Sequence, residues 1–522
     1  MIRNQIKNLV GQVVTKKINF TIEVPQEKVH GDYATNVAII LANETKREPM
    51  ILANEIRLEL EKKDFFEKIE VVKPGFINFF LKPEFLQKQV KEILNKKEKF
   101  GQIDIGKNKK IQVEFISANP TGPLTLGNGR GAFMGDTLAN VLKKSGFKVE
   151  REYYINDSKY SIQIKELGKT VLGRGEAYKT SYLKRALKKI KMKDLMGKDE
   201  GDVGSIVARE IQKDIQDFIK KKLKINFDKW FSETKFHQTK EVEKLLDWLE
   251  EKNFAYKKEG AIWLKSSQWG DDQDRILVRS DGETGYFLTD LAYHKNKFSR
   301  KFDKVINFWG ADHKGHEKRM KIALKMIGID PGKLDVIIMQ LVRLIQKGKE
   351  VKMSKRKGEY ISLEELIDKV GLDVARFFFL MYSADRHMDF DLGLAKEKSE
   401  KNPVYYVQYA CARIHSILAK SKILNPNIKY LNLLKHPSEL NLIKELIKLP
   451  EIIEDVAKDY QVQRSPHYAI EIATTFHKFY TDCRVLGEDK KLEKARLALV
   501  LATKIVLDNI LDLMGISKPK RM

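Results

Sequence analysis

The chain has 522 residues, too many for one small core, and its length predicts about three or four domains. It carries 97 lysines and arginines against 72 aspartates and glutamates, a formal net charge of +25, which suits a polyanionic partner such as nucleic acid. A genome biased towards lysine would produce the same excess, so the charge alone does not decide between the two explanations.

The sequence predicts neither a membrane span nor a disulfide framework. No segment approaches the ~18 consecutive apolar residues of a membrane helix, and the N-terminus has no apolar core or cleavage site of a secretory signal. Two cysteines, Cys411 and Cys483, cannot build a disulfide framework or a four-ligand zinc site. We therefore expect a reduced, cytoplasmic protein; we also expect a monomer, without a sequence signal that specifies the oligomeric state.

The first two units follow one another in the chain. Residues 1–100 mix helical patterning with a strand-like segment at 74–81, where side chains alternate with period two. After a polar linker, a strand at 111–116, a Gly/Pro-rich turn at 119–131 and an amphipathic helix follow. Strand, glycine-rich turn and helix in this order are typical of a nucleotide-binding α/β sheet, with phosphate expected at the helix N-terminus.

The rest of the chain divides into a central and a C-terminal part. A lysine-rich helical stretch at about 165–225 indicates an insertion or a solvated helix surface, and strand patterns return at 261–264, 275–279 and 304–309. From about residue 398 onward the pattern is helical. We predict a multidomain α/β protein with an N-terminal α+β domain (1–100), a central α/β domain (108–390) that contains the insertion, and an all-α C-terminal bundle (398–522).

Two motifs point to polyphosphate chemistry. The glycine turn matches neither the dinucleotide fingerprint nor the P-loop. The second motif, Lys352-Met-Ser-Lys-Arg-Lys-Gly, lies about 220 residues later and places lysines close together, which suits neutralising a polyphosphate in a transition state. Taken alone, such a segment is more often an ordinary basic surface loop.

A resemblance spans the chain from residue 30 to its end. The segments that carry it are 30–36, 114–124, 153–157, 278–282, 309–313, 352–358, 402–410 and 476–485. With them the chain resembles class I aminoacyl-tRNA synthetases, which carry HIGH and KMSKS motifs in a split, Rossmann-like nucleotide fold, and within that class the arginyl enzymes. The resemblance implies ATP-dependent activation of L-arginine to arginyl-adenylate and transfer to the 3′ end of tRNA(Arg). It also implies ATP with Mg²⁺ as co-substrate, no resident metal, a tRNA-contacting N-terminal domain and an anticodon-binding C-terminal domain.

The predicted arginine site pairs two helix residues with two residues near the first core strand. A guanidinium is planar with five donors and is best bound by a carboxylate in bidentate geometry. The resemblance assigns the guanidinium to Tyr286 and Asp290, which the i, i+4 spacing puts on one helix face. It assigns the α-ammonium to Glu114 and Asn119, where a parallel sheet presents its ligands. A capped surface turn is the ordinary alternative for such a pair.

The predicted ATP site departs from the family pattern. Where the family has the two HIGH histidines, this chain has Thr125 and Asn128, which can donate hydrogen bonds but carry no positive charge. Losing one charge-assisted donor in such a site can cost about a hundredfold or more in rate, so the helix N-terminus, Lys352 and Lys355 would bear more of the stabilisation. The remaining ATP contacts that the resemblance implies are Pro123, Gly127, Gly129, His313, Met353 and Ser354. A second departure replaces the family's Ala-Gly-Asn-Gln by Ser-Lys-Tyr-Ser at residues 158–161.

The resemblance also implies an anticodon site in the C-terminal domain, at Tyr406, Tyr409, Arg413 and Met522. Aromatic rings and arginine suit unstacked RNA bases, although most tyrosines on bundle helices belong to a core. His313 and His316 could ligate a metal, but no third soft ligand lies nearby in the sequence.

Two other hypotheses remain open. A catalytically impaired paralogue that only binds tRNA would explain the missing histidines, but it would not require the lysine motif or the arginine contacts. Another nucleotidylyltransferase of related fold would leave both terminal domains unexplained.

Overall fold

The structure is a computed structural model, and it describes residues 1–351, 361–421 and 428–522. The strands are β1 (Ile22–Glu23), β2 (Tyr33–Thr35), β3 (Phe66–Val72), β4 (Phe76–Leu81), β5 (Lys110–Glu114), β6 (Lys148–Ile155), β7 (Lys229–Ser232), β8 (Ala255–Lys258), β9 (Ala261–Leu264), β10 (Arg275–Val278), β11 (Lys304–Gly310), β12 (Leu334–Met339), β13 (Val342–Gln346), β14 (Lys349–Glu350) and β15 (Met388–Asp391). The helices are α1 (Ile2–Val13), α2 (Val37–Thr45), α3 (Pro49–Glu61), α4 (Pro83–Lys96), α5 (Leu126–Lys144), α6 (Ile162–Val171), α7 (Ser181–Leu187), α8 (Glu200–Lys221), α9 (Glu233–Gln238), α10 (Glu241–Glu251), α11 (Tyr286–Ser299), α12 (Lys314–Met326), α13 (Leu363–Val370), α14 (Leu372–Leu380), α15 (Leu392–Lys396), α16 (Pro403–Lys420), α17 (Pro437–Leu446), α18 (Leu449–Asp459), α19 (Arg464–Asp482) and α20 (Lys490–Met514).

The N-terminal α+β unit combines α1–α4 with an antiparallel sheet in the order β1-β2-β4-β3. The strand predicted at 74–81 is β4. Its neighbour β3 escaped the sequence analysis because the pairing register shifts between Phe66 and Lys68, so Phe66 and Ile69 are buried three residues apart. A bulge of this kind removes the period-two signal.

The central sheet contains five parallel strands in the order β12-β11-β5-β6-β7. From the central strand β5 the chain runs through β6 and β7 on one side and returns to β11 and β12 on the other. The strand order therefore reverses between β5 and β11, and ligands of such sheets bind beyond the carboxyl ends of the strands at that point. The strands predicted at 261–264, 275–279 and 304–309 are found as β9, β10 and β11 to within a residue.

Helix α5 follows β5 and is buried along most of its length. Met134, Leu138, Val141 and Leu142, which define the predicted apolar face, are all buried. The helix approaches the sheet closely at Gly135, where an added Cβ would lie 2.3 Å from Cγ of Phe115. This contact holds the middle of α5 close to the carboxyl end of β5.

The lysine-rich stretch forms α6, α7 and α8. Helices α6 and α8 cross closely, since a Cβ on Gly204 would lie 1.9 Å from the backbone oxygen of Ile164. The buried face of α8 is apolar, whereas Lys213, Lys220 and Lys221 are exposed. The lysines here occupy a solvated helix surface, as one of the two sequence interpretations predicts.

The described residues of the C-terminal part are helical, and this all-α unit packs against both other units. The buried guanidinium of Arg376 in α14 donates to Asp136 of α5 at 2.9 Å and to the backbone oxygens of Leu223 and Met514 at 2.7 and 3.0 Å. Arg3 pairs with Asp455 of α18 at 2.6 Å. The predicted fold class is confirmed. The exact domain boundaries stay a prediction, because apolar packing continues across them. No helix in the described ranges is long and apolar enough to cross a membrane.

Candidate functional site

The N-terminal turn of α11 presents Tyr286 and Asp290 on one side, as the sequence predicts. Tyr286 is 73% exposed, and the Asp290 side chain is 28% exposed. His316 of α12 lies between them: its Nε2 is 2.5 Å from Oδ2 of Asp290, and its ring centroid is 6.2 Å from that of Tyr286. The other carboxylate oxygen of Asp290, Oδ1, is 3.1 Å from Nδ1 of His294.

Asp290 is a stable negative charge beside Tyr286 and His316. Burial disfavours its charged form, but hydrogen bonds from the imidazoles of His294 and His316 stabilise it, and the pKa of the Asp290 carboxyl lies well below its usual range. Burial and the carboxylates of Glu233 and Asp290 raise the pKa of the nearby Tyr154 phenol well above its usual value. A fixed carboxylate beside neutral aromatic rings is an arrangement that can bind a planar cation.

Glu114, at the carboxyl end of β5, is already part of an ion pair. Its Oε2 accepts from Nζ of Lys297 and from the hydroxyl of Tyr293, the latter at 3.4 Å, and its Oε1 accepts from Oγ of Ser117 at 2.9 Å. Asn119 accepts a hydrogen bond at 2.9 Å from the amide of Asn156, which follows β6. Glu114 and Asp290 do not touch directly.

Several residues around Asp290, Glu114 and Asn119 were not among the predicted site residues. They are Tyr154, Asn156, Tyr293, His294, Lys297 and Asn307, together with His316, which the sequence suggested only as a rejected metal ligand. The available signal was spacing: His294 and Lys297 follow Asp290 at i+4 and i+7 and so share its helix face.

The turn before α5 places Thr125 and Asn128 against each other. The backbone N–H and the hydroxyl of Thr125 both donate to Oδ1 of Asn128 at 2.9 Å. Thr125 is the N-cap residue of α5, so this pair closes the first turn of a helix whose N-terminus faces the edge of the sheet. The two residues that stand where the family has histidines therefore form one bonded unit.

The glycines of this turn have different surroundings. A Cβ on Gly129 would lie 2.6 Å from Cδ1 of Leu363, so Gly129 allows close packing inside the protein. Gly127 is exposed, and a Cβ there would meet only Oγ1 of Thr125, at 3.8 Å. Pro123 lines a pocket of about 370 Å³ whose other walls include Phe218 of α8 and Glu364 of α13. Gly127 therefore faces open space, whereas Gly129 does not.

The lysine motif lies outside the described residues, and so do Lys352, Met353, Ser354 and Lys355. Both flanks of the motif are described. Before it, the backbone N–H of Val351 donates to Leu344 of β13 at 2.9 Å. After it, Ser362 pairs with Thr125, and the backbone N–H of Leu363 donates to Leu124 at 2.9 Å. The C-terminal flank of the motif is thus anchored beside the turn that precedes α5.

His313 lies at the start of α12, beyond the carboxyl end of β11. Its side chain is 56% exposed, and its ring is 6.1 Å from Trp309 and 6.2 Å from His316. Within the described residues, no three histidine, cysteine, aspartate or glutamate side chains are grouped as a metal site would require.

An aromatic cluster joins α16 and α19. Arg413 donates to the hydroxyl of Tyr409, and its guanidinium lies over the rings of Tyr409 and Tyr480 at 5.3 and 5.2 Å. The His477 ring is 4.9 Å from Tyr406 and 5.6 Å from Tyr409. The structure therefore brings Tyr406, Tyr409 and Arg413 together.

The chain terminus runs beside the same helix. The Gln408 amide of α16 donates to the backbone oxygen of Ser517 at 3.2 Å, and the Ser517 backbone N–H donates to Asp373 at 3.1 Å. Met522 is 54% exposed. His477 and Tyr480 were not among the predicted residues.

Comparison with known families identifies the core. A family model described as tRNA synthetases class I (R), catalytic domain, matches residues 89–171 and 179–377. The five-stranded parallel unit is therefore the catalytic core of a class I aminoacyl-tRNA synthetase. Models described as arginyl tRNA synthetase N terminal domain and DALR anticodon binding domain match residues 1–81 and 407–522.

Full-length relatives narrow the family further. The chain is 44% identical to the arginine–tRNA ligase of Carboxydothermus hydrogenoformans over 97% of this chain and 95% of that protein. It is 43% identical to the arginine–tRNA ligase of Heliobacterium modesticaldum over 99% of this chain and 97% of that protein. It also superposes on the arginyl-tRNA synthetase of Thermus thermophilus with a TM-score of 0.80 over the whole of both chains, at 20% identity, which shows the shared fold. The chain belongs to the arginyl-tRNA synthetase family.

Proposed function

We propose that this chain is an active arginine–tRNA ligase. The observation that carries the proposal is the carboxylate of Asp290, whose oxygens lie 3.1 and 2.5 Å from ring nitrogens of His294 and His316, beside the exposed ring of Tyr286. The Asp290 carboxylate takes the guanidinium of arginine, and Tyr286 covers its plane. Glu114 and Asn119 take the α-ammonium, leaving the carboxylate of arginine free to attack ATP.

ATP binds along the turn that precedes α5. Pro123, Gly127, Gly129 and His313 contact the nucleotide, and Met353 and Ser354 contact it from the lysine motif. Thr125 and Asn128 hold the first turn of α5 so that its backbone N–H groups face the phosphates. Lys352 and Lys355 supply the positive charge that Thr125 and Asn128 lack. Mg²⁺ enters with ATP, bound mainly by phosphate oxygens.

Two displacements follow. A carboxylate oxygen of arginine attacks the α-phosphorus of ATP, the bond to the β-phosphate bridging oxygen breaks, and pyrophosphate leaves. A hydroxyl of the terminal tRNA adenosine then attacks the carbonyl carbon of arginyl-adenylate and AMP leaves. Neither step needs a covalent enzyme intermediate, so positioning and charge stabilisation provide the acceleration.

The N-terminal and C-terminal domains both bind the tRNA. The N-terminal domain (1–100) contacts the body of the tRNA, and the helical domain (398–522) receives the anticodon at Tyr406, Tyr409, Arg413 and Met522. Aromatic rings and a guanidinium over them provide stacking surfaces for unpaired bases. The protein works as a monomer in the cytoplasm.

Charging of tRNA(Arg) with labelled arginine, ATP and magnesium tests the proposal. The expected result is arginine attached to the tRNA at a rate far above that of the Lys352→Ala, Lys355→Ala double variant. Charging equal to that variant, with tRNA binding retained in a filter assay, would indicate a tRNA-binding paralogue.

A further inference from the structure

A row of polar side chains crosses the central sheet beneath α11. Asn307 of β11, Glu114 of β5 and Glu152 of β6 are neighbours in the strand register, and all three are buried. Parallel strands covered on both faces usually carry apolar residues here. Buried polar groups are costly unless each one has a partner, so this row must be satisfied by α11.

Helix α11 supplies those partners and connects the two carboxylates of the arginine site. Nζ of Lys297 donates to Glu114 and, at 2.8 Å, to Oδ1 of Asn307. Nδ2 of Asn307 lies 2.9 Å from Nε2 of His294. Nδ1 of His294 lies 2.8 Å from the backbone oxygen of Asp290 and 3.1 Å from its Oδ1. Lys297, Asn307 and His294 are each no more than 1% exposed.

The hydrogens in this chain of contacts can be placed from the chemistry of its members. A lysine ammonium only donates, so the atom of Asn307 that faces Lys297 must be its oxygen. The amide nitrogen of Asn307 then faces His294 and must donate, which requires Nε2 of His294 to be an unprotonated acceptor. His294 is therefore the neutral imidazole with its proton on Nδ1, donated to Asp290.

Building on the proposed function, we propose that Lys297 and Asn307 are positioning residues for arginine recognition. Together they hold His294 as the neutral Nδ1–H tautomer, so that Asp290 keeps a full negative charge for the guanidinium. An imidazolium at His294 would compensate that charge and place one N–H against another at Asn307. The same Lys297 orients Glu114 at the α-ammonium end, so one buried cation serves both carboxylates.

The other groups around His294 do not determine which of its ring nitrogens carries the proton. The rings of Tyr293 and Trp309 pack at 5.8 and 6.1 Å from its ring. The hydroxyl of Tyr293 is engaged by Glu152, at 2.5 Å, rather than by His294. Asp290 is the charged group on α11 that contacts the imidazole.

An isosteric substitution tests the inference. In Asn307→Asp the oxygen that replaces Nδ2 can only accept, so His294 must carry a proton on Nε2 as well as on Nδ1. We expect the KM for arginine to rise at least about tenfold, with KM for ATP and kcat changed by less than about threefold. Asn95→Asp is the matched control, because it makes the same change at an exposed position of α4, outside the network. An arginine KM that rises no more in Asn307→Asp than in Asn95→Asp overturns the proposal.

A spectroscopic measurement covers the case in which Asn307→Asp folds poorly. Nitrogen-15 labelling of histidine in the full chain, with the His294 signals identified by their loss in His294→Gln, shows which ring nitrogen carries a proton. The wild-type protein should show His294 neutral with its proton on Nδ1 at pH 7.5. A doubly protonated ring, or a proton on Nε2, overturns the proposal whatever the kinetics. This result does not depend on turnover, so a protein that fails to charge tRNA would contradict the proposed function separately.

Discussion

A chain of buried, hydrogen-bonded side chains supports Asp290, whereas Thr125 and Asn128 at the start of α5 bond chiefly to each other. The support of Asp290 runs through His294 and Asn307 to Lys297, which is fully buried. Thr125 and Asn128 are half-buried at a helix N-terminus.

This difference in support explains why the family's residues are replaced at the turn before α5 and not at Asp290. A guanidinium is recognised by side-chain charge and geometry, so each member of the Asp290 network constrains the next. Phosphates can be held by backbone N–H groups and the helix dipole, which exist whatever the side chains are. Thr125 and Asn128 can therefore replace histidines if they preserve the first turn of α5.

The largest expected effect comes from removing the Asp290 charge. In Asp290→Asn a buried, hydrogen-bonded charge pair with arginine is lost, which costs about 2–5 kcal/mol, or roughly thirtyfold to several-thousandfold in kcat/KM for arginine. Steady-state charging at varied arginine and at varied ATP measures it, and the ATP dependence should stay near the wild-type value. Asp247→Asn, on the exposed side of α10, is the control. Equal arginine kinetics in Asp290→Asn and Asp247→Asn would mean that Asp290 does not bind arginine.

Gly127→Ala separates ATP binding from folding at the other site. The new Cβ meets only Oγ1 of Thr125, at 3.8 Å, and alanine suits a helix better than glycine, so the melting temperature should hold or rise slightly. If the nucleotide packs on this turn, the methyl group costs about 1–3 kcal/mol, or about fivefold or more in KM for ATP. Gly11→Ala in α1, which also has open space, should show the same small effect on the melting temperature and leave the KM for ATP unchanged. An unchanged ATP KM in Gly127→Ala would place the nucleotide elsewhere.

The sequence predicted what local patterns encode. Strand, glycine turn and helix at 111–144 revealed the nucleotide-binding core, and the i, i+4 spacing put Tyr286 and Asp290 on one face. The resemblance supplied the identity of the site, which no periodicity contains.

The network behind Asp290 could not be predicted in the same way. Lys297 and His294 look like solvent-facing residues of an amphipathic helix, and Glu114 and Asn307 belong to strands far apart in the chain. Only the parallel register of β5 and β11 brings Glu114 beside Asn307 under α11. The bulge in β3 hid a strand for a related reason, since pairing with β4 rather than local alternation holds it in place.

Thr125→His, Asn128→His tests whether the turn is impaired or rebuilt. We expect the rate of arginyl-adenylate formation to fall by about fivefold, because the Thr125–Asn128 pair that closes the first turn of α5 is lost at a cost of about 1 kcal/mol. Single-turnover pyrophosphate release measures this step directly. A steep rise in rate would show that the native turn works poorly without charged imidazoles. Each single variant, Thr125→His or Asn128→His, should also lose the hydrogen bonds between the two residues, while it restores only one of the two histidines.

The smallest expected effect is a pH dependence of the melting temperature caused by His477, whose surroundings differ from those of His294. Both nitrogens of His294 have partners, whereas Nε2 of His477 is buried without a hydrogen-bond partner among the described residues. Burial lowers the pKa of His477; a hydrogen bond with the Tyr406 backbone opposes this, and the Arg413 guanidinium adds to the lowering. The unfolded chain, with an ordinary histidine pKa of about 6.5, then binds the proton more readily than the folded protein does. The stability that neutral His477 contributes is therefore complete above about pH 6.5 and is lost as the pH falls below it.

Between pH 7.5 and 5.5 the wild-type melting temperature should fall further than that of His477→Gln, by on the order of a degree. Equal falls in the two proteins would mean that the ring gains a proton without cost, and that the cluster around Tyr406 and Tyr409 is more open to water than its packing indicates.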